Sequence, residues 1–376
     1  MGLLSKQSKQ KPEHRIKTHR EDYAYATGRI RALETSLLSR ASMTRLFEAE
    51  DPEDIAKVLT DNGLAITDSI EDAVRRDQID SYALVLSLIP NREYVEALLL
   101  ANDYHNLKVI LKGFIPDYQA GLKAGTTDCA EMLDNGDNLD AFFSTAGDYF
   151  SEDDMARNFA YPSNHDPMKL LDAIRSGRND LPDGDFVVAV EDAIKAFVRL
   201  SDPGAVDAVV DRHYFERLAD FTEMLDNRFF SDYIAFKADS TNLAMMLRLR
   251  AMKADVSRFE EMVVRGSAVS GETLIRLYSS SNDDIKEEYR FTSCEDLALF
   301  AESFGSGRST LEFGKAVDNH IIDMLDDTRR MLFGPEILLA FLIAKDMQAR
   351  NINIALTCVR NRVPMSIAAE MMRSSF

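Results

Sequence analysis

Two stretches of this chain repeat each other, and that repetition constrains the fold more than any other feature. Val210-Asp211-Arg212-His213-Tyr214-Phe215-Glu216-Arg217-Leu218 and Val317-Asp318-Asn319-His320-Ile321-Ile322-Asp323-Met324-Leu325 lie 107 positions apart. Both read V-D-x-H, two large apolar residues, an acid, any residue and Leu. Downstream, Asn242-Leu243 with Leu247 and Arg250 is echoed by Asn351-Ile352 with Leu356 and Arg360, 109 positions apart. Two matches whose offsets differ by two residues mark duplicated units, which bury their apolar faces by packing on one another. A fainter third copy lies upstream. Leu38–Leu46 aligns with residues 210–218 through Arg40, Arg45 and Leu46, an offset of 172. Asp103-Tyr104-His105-Asn106-Leu107 parallels Asp239-Ser240-Thr241-Asn242-Leu243, giving D-x-x-N-L twice at an offset of 136. The first copy then carries 36 extra residues between its halves, which the helix-like stretch around Ile70–Ile89 supplies. The chain is thus expected to hold three related helical modules, at 21–120, 121–260 and 261–376, behind a basic arm at 1–20.

Periodicity makes the modules helical. Tyr23, Ala26, Ile30, Leu33 and Leu37 follow one another at steps of three and four, one apolar stripe behind the acidic start Glu21-Asp22. Asp51-Pro52 reads as an N-cap with Pro at the first helical position, Ile55, Val58 and Leu59 as the buried face, and Gly63 as the left-handed C-terminal residue. A further helix begins near Asp68-Ser69 and ends by Pro90, and another runs from about Arg92 to Gly113 with Leu100, Tyr104, Leu107 and Leu111 on one side. Turn residues at 179–184, 202–204 and 265–271 divide the chain further. No region alternates with period two, and 17 Gly and 10 Pro in 376 residues are too few for a turn-rich sandwich or barrel. The expected fold class is all-α.

Charge narrows the partners. The net charge of −19 sets the surface against nucleic-acid phosphates. The exception is the arm, where Lys6, Lys9, Lys11, Arg15, Lys17 and Arg20 face only Glu13. It reads as a solvated, frayed terminus or as an electrostatic arm for anionic lipid or an acidic partner. Deleting residues 1–20 would abolish salt-dependent membrane or partner binding if the second reading holds. Residues 124–156 carry no positive side chain and nine acids. Within them DNGDNLD hints at a calcium loop, but with Asp134 at position one, Leu139 and Thr145 stand where Gly and Glu are needed. A solvated acidic face or a contact for a basic partner fits better. Cys129, Cys294 and Cys358 are too scattered for a disulfide framework or thiolate metal site. The start lacks the apolar run of a secretory signal, and no window approaches the ~20 apolar residues of a span, so a reduced, cytoplasmic location is expected.

Catalytic motifs are missing from the sequence. There is no G-x-S-x-G, no H-E-x-x-H and no G-K-[S/T] phosphate loop; Gly314-Lys315 is followed by Ala316, and Phe304-Gly305-Ser306-Gly307-Arg308 is a lone G-x-G. His213 and His320 occupy equivalent repeat positions without a second His at helical spacing, which favours half-buried structural histidines over metal ligands. No catalytic, cofactor or metal residue is expected. Asp103/Asn106 and Asp239/Asn242 lie three apart on one helical face. They are either equivalent partner contacts on a pseudo-threefold surface or side chains satisfying backbone groups where helices cross.

Beyond these readings, Tyr23-Ala24-Tyr25-Ala26-Thr27-Gly28-Arg29-Ile30-Arg31-Ala32-Leu33-Glu34 resembles the N-terminal signature of the C-type subunit family of V-type/A-type ATPases (ATP synthases), whose eukaryotic members are the d-type subunits. Asp103-Tyr104-His105-Asn106-Leu107-Lys108 is similar to its first-repeat helix and Asp239-x-x-Asn242-Leu243 to its second. Phe333-Gly334-Pro335-Glu336, leading through Ala344-Lys345 to Arg350-Asn351, resembles its last helix, and Val363-Pro364 also fits. The likeness covers residues 21–376 in order. It departs where the family usually has acids and an R-N-L-R run: here stand Asp346, Gln348 and Arg350-Asn351-Ile352-Asn353. The resemblance implies three modules in a pseudo-threefold, funnel-shaped socket. It also implies a non-catalytic adaptor joining the central shaft of a rotary ATPase to its proteolipid ring, transmitting torque, one copy per complex, peripheral on the cytoplasmic face of the membrane. Asp103, Asn106, Asp239, Asn242, Arg350 and Asn351 become the repeat-motif or interface candidates. A helical-repeat scaffold for other proteins is the alternative, and a hydrolase built on scattered carboxylates a distant third.

Overall fold

The structure is a computed structural model that describes residues 15–124, 152–176, 181–182, 184–305 and 307–376. Cys129, the calcium-loop candidate at 134–145, most of the acidic segment at 124–156 and part of the turn at 179–184 fall outside the described residues. After a 3-10 turn at Arg20–Tyr23 come α1 (Ala24–Glu34), α2 (Arg40–Phe47), α3 (Pro52–Asp61), α4 (Ile70–Leu88), α5 (Glu93–Ala124), α6 (Glu152–Asn158), α7 (Pro167–Arg175), α8 (Gly184–Leu200) and α9 (Pro203–Leu225). There follow α10 (Arg228–Ala251), α11 (Val256–Met262), α12 (Gly271–Tyr278), α13 (Asn282–Tyr289), α14 (Glu295–Ala298), α15 (Gly307–Leu325), α16 (Pro335–Arg360) and α17 (Met365–Met371). No strand occurs among the described residues, and the fold is all-α.

Local chemistry sets most helix ends. Asp51 accepts the Asp54 N–H at 2.9 Å with Pro52 at the first helical position, and Ser69 accepts the Asp72 N–H at 3.0 Å. Gly63 takes φ +89° just beyond α3. α5 departs from expectation: it does not stop at Gly113 but continues through Pro116. Phe114, Ile115 and Tyr118 are buried there, with Tyr118 edge-on to Phe197 of α8 at 5.9 Å, and that packing outweighs the hydrogen bond lost at proline.

The same succession of elements recurs along the chain. α9 leads into the long α10 and then the seven-residue α11; α15 leads into the long α16 and then the seven-residue α17. In the first copy α4 leads into the long α5, and among the described residues the next helix is the seven-residue α6. Val210–Leu218 and Val317–Leu325 sit on α9 and α15, so their counterpart is on α4. There Val74-Arg75-Arg76 aligns with Val210-Asp211-Arg212 at offset 136, the offset that also relates Asn106 to Asn242. This corrects the alignment of Leu38–Leu46 with residues 210–218 and removes the insertion it required.

Two apolar cores result. The larger runs from Tyr23 and Ile30 through α5, α8, α9 and α10 to Ile337–Met347 of α16. The smaller joins Met43, Leu46 and Phe47 of α2 and Ile55, Val58 and Leu59 of α3 to Ile352, Ala355 and Leu356 in the second half of α16. A segment expected to be free ties the larger core together. Residues 15–20 are docked: the Ile16 N–H reaches the Met224 carbonyl (2.9 Å), Thr18 Oγ1 meets the Tyr94 hydroxyl (3.2 Å), and Arg20 binds Glu336 and the Phe333 carbonyl (both 3.1 Å). With the Tyr23 hydroxyl donating to Asn91 (2.8 Å), this strap touches the N-terminal ends of α5 and α16 and the last turn of α9, just before α10. The three long helices converge there, Asn227 at the start of α10 donating to Glu336 on α16 at 3.0 Å.

Candidate functional site

Asn106, Asn242 and Asn351 lie near the middle of the three converging helices and are fully buried. Each side-chain amide grips one residue of a crossing segment from both sides. Asn106 donates to the Ala160 carbonyl (3.0 Å) and accepts its N–H (2.7 Å). Asn242 does the same to Val264 (3.0 and 2.9 Å), and Asn351 to Arg373 (3.3 and 2.9 Å). The gripped residue stands two positions beyond α6, α11 or α17 in every case. Only Asn and Gln offer a donor and an acceptor side by side in this way.

One turn earlier on each helix sits a second acceptor. Asp103 takes the His165 N–H (3.1 Å) and the Asn164 amide (2.7 Å), and burial raises its carboxyl above the usual range. Asp239 takes the N–H groups of Ala268 and Val269 (3.1 and 3.2 Å) and the Ser267 hydroxyl. At the third position stands Gln348, whose Oε1 takes the Leu38 N–H at 2.8 Å. His165, Val269 and Leu38 each immediately precede an N-cap, respectively Asp166 of α7, Ser270 of α12 and Ser39 of α2. So α2, from the opposite end of the chain, stands beside α16 as α7 stands beside α5 and α12 beside α10. A boundary at residue 120 would part Asn106 from Ala160, and one at 260 would part Asn242 from Val264. The bonds run across both expected divisions, and α2 meets α16 from 310 positions upstream.

These residues are therefore not gathered on one surface; five of the six candidates are internal fasteners. Arg350, with a 57 % exposed side chain, differs. It pairs with Asp318, which Arg373 also contacts at 3.2 Å, and it lines a central cavity of about 870 Å³. α4, α5, α10, α15 and α16 all contribute to that cavity. The repeat histidines lie elsewhere: His213 meets Asp192 at 3.0 Å, and His320 stacks on Phe236 at 4.2 Å, where burial lowers its pKa. Among the described residues no three His, Cys, Asp or Glu side chains gather to hold a metal.

On the cavity wall Asp346 accepts the Tyr82 hydroxyl (2.7 Å) and the Gln78 amide (2.9 Å). Lys237 donates to the Tyr214 hydroxyl (3.0 Å) and lies 5.5 Å from the Tyr233 ring centre. Burial keeps the Tyr82, Tyr214 and Tyr233 phenols neutral, their pKa values all raised. This polar cluster was not predicted, because its members come from four helices and carry no shared spacing. Burial also raises the Asp346 carboxyl, with Tyr82, Gln78, Arg350 and Lys237 pulling it back only in part. A raised folded-state value favours the fold in the protonated form; its contribution is full below the unfolded value of about 3.9 and lost as pH rises through the folded value. Asp346→Asn, neutral throughout, is expected to gain melting temperature relative to the parent as pH rises from about 4.5 to about 8. A difference between paired melts that stays constant with pH would count against this.

A family model described as ATP synthase (C/AC39) subunit matches residues 26–371. No curated protein matches the chain.

Proposed function

The chain belongs to the ATP synthase (C/AC39) subunit family, and from that premise we propose that it is the non-catalytic rotor adaptor of a V/A-type rotary ATPase. In this reading it seats the central shaft and rests on the membrane proteolipid ring, on the cytoplasmic side, passing torque between them. No helix among the described residues is long and apolar enough to cross a membrane, which suits a peripheral position. The observation that carries the proposal is the central cavity. It opens among helices from all three recurrent units and is walled by phenols, amides, two cations and two carboxylates set among apolar side chains, a mixture suited to holding a protein end.

Torque transfer requires that the walls not shear. Each long helix is fastened twice to its crossing segment by buried hydrogen bonds, and all three are joined at the strap, so twisting any one of them loads the others. Three similarly fastened units around one cavity support a pseudo-threefold funnel, with units running α4–α7, α9–α12 and α15–α17 plus α2.

Thr241 and Asn353 line the cavity, and among the described residues their side chains make no bond to the rest of the wall. Thr241→Arg with Asn353→Arg, introduced into the host complex, would crowd the seat without touching a fastener. The expected result is ATP hydrolysis that no longer drives ion transport, loss of co-purifying shaft subunits, and a melting temperature within a few degrees of the parent. Full coupling in the doubly substituted complex would sink the proposal.

A further inference from the structure

We propose that this chain holds one anionic phospholipid, its phosphate in a basic cleft beside α15 and an acyl chain in the apolar groove next to it. The cleft, about 630 Å³, lies between the start of α2, the second half of α15 and the residues after α17. Arg40, Lys315, Arg329, Arg330 and Arg373 line it against Asp323 and Asp326, a local excess of cations in a chain of net charge −19. Asp326 is taken by Arg329 at 2.9 Å, and Arg373 is taken by Asp318 at 3.2 Å. Arg40 and Arg330 are exposed, and among the described residues neither has an ion-pair partner. Guanidinium groups present planar N–H forks that match phosphate oxygens.

The groove, about 690 Å³, lies between α15 and α17 and shares Lys315, Asn319 and Arg373 with the cleft. Its floor is Leu311, Ala316, Ile367 and Met371, and Leu311 and Ile367 are about half exposed. The carboxylates at its rim are occupied: Arg308 reaches Glu312 at 2.9 Å and Glu370 at 3.4 Å. Lys315 Nζ donates to the Glu370 carbonyl at 2.6 Å, which puts a cation at the seam between the two spaces. A phosphate-binding end joined to an apolar trough has the polarity of a lipid, whereas a free phosphate would leave the groove empty and a neutral lipid would leave Arg40 and Arg330 unpaired.

The test uses the full chain, with its basic N-terminal arm in every sample, in flotation with vesicles of phosphatidylcholine alone or mixed with phosphatidylglycerol. Binding is expected only to the mixed vesicles. It should weaken about tenfold or more in Arg40→Gln with Arg330→Gln, and also about tenfold in Leu311→Gln with Ile367→Gln, while both double variants melt with the parent. Unchanged binding in either pair overturns the proposal, leaving the arm or charge alone as the cause. Displacement by inorganic phosphate, but not by chloride of equal ionic strength, overturns it in favour of a free-anion site. Neither shaft nor ring is present, so a negative result here leaves the adaptor reading standing.

Discussion

Asn242→Ala is expected to destabilise the fold by about 3–4 kcal/mol, a large fraction of the margin of about 5–15 kcal/mol by which domains are stable. The substitution removes two hydrogen bonds, but the cost lies mainly in what it leaves behind. Val264 is 2 % exposed, so its N–H and carbonyl lose their partners where water does not reach. Each stranded group costs about 1–3 kcal/mol. Asn351→Ala should cost less, about 1–2 kcal/mol, because one bond is already 3.3 Å long and Arg373 is only half-buried. Denaturation of the two variants beside the parent measures both values. An Asn242→Ala chain within 1 kcal/mol of the parent, by the same scale of about 1–3 kcal/mol per group, would mean that the grip carries no load.

Gly334→Ala should be comparably severe, at about 4 kcal/mol. Gly334 sits at φ +146° and ψ 166°, a conformation open to glycine alone, at about 1–3 kcal/mol for any other residue. A methyl there would also stand 2.2 Å from Glu336 Oε2 and 2.8 Å from Arg20 Nη2. The carboxylate would have to leave its nearly buried place, giving up Arg20 and Asn227 together. Thermal melts should therefore drop, and hydrogen exchange should show residues 15–20 losing protection along with the start of α16. Parent-like melting with an intact strap would show that the convergence point does not depend on this turn. The same contacts account for the Phe333-Gly334-Pro335-Glu336 run: glycine clears space for the glutamate, and proline starts a helix whose first turn needs no amide hydrogen.

Sequence reading succeeded where cause and effect lie within a few residues. Asp51 and Ser69 cap the helices that follow them, and the apolar stripe from Tyr23 to Ile30 is buried as its spacing requires. The D-x-x-N spacing pointed to Asp103/Asn106 and Asp239/Asn242 because a helical fastener needs both groups on one face. Gln348 was missed at the equivalent place since it fulfils the acceptor role without being an acid. The mistaken alignment of Leu38–Leu46 had a related origin. Arg45-Leu46-Phe47 resembles Arg276-Leu277-Tyr278, which like it ends an eight-residue helix, α12, rather than any part of α9. Periodicity cannot reveal that α16 is met by a helix whose flanking Leu38 lies 310 positions from Gln348. Nor could it reveal the strap or the cavity wall, where the partners of Arg20 and Asp346 lie more than 260 positions away.

That exchange of ends has a bearing on biosynthesis. A ribosome delivers α2 and α3, with Met43, Leu46, Phe47, Ile55 and Val58 ready for burial, about 300 residues before the surface that receives them, Ile352 to Leu356. While the intervening residues are being added those side chains have no home, which makes the half-made polypeptide a natural client for chaperones. Messages truncated before codon 348 should accordingly yield aggregates rather than shortened but soluble products.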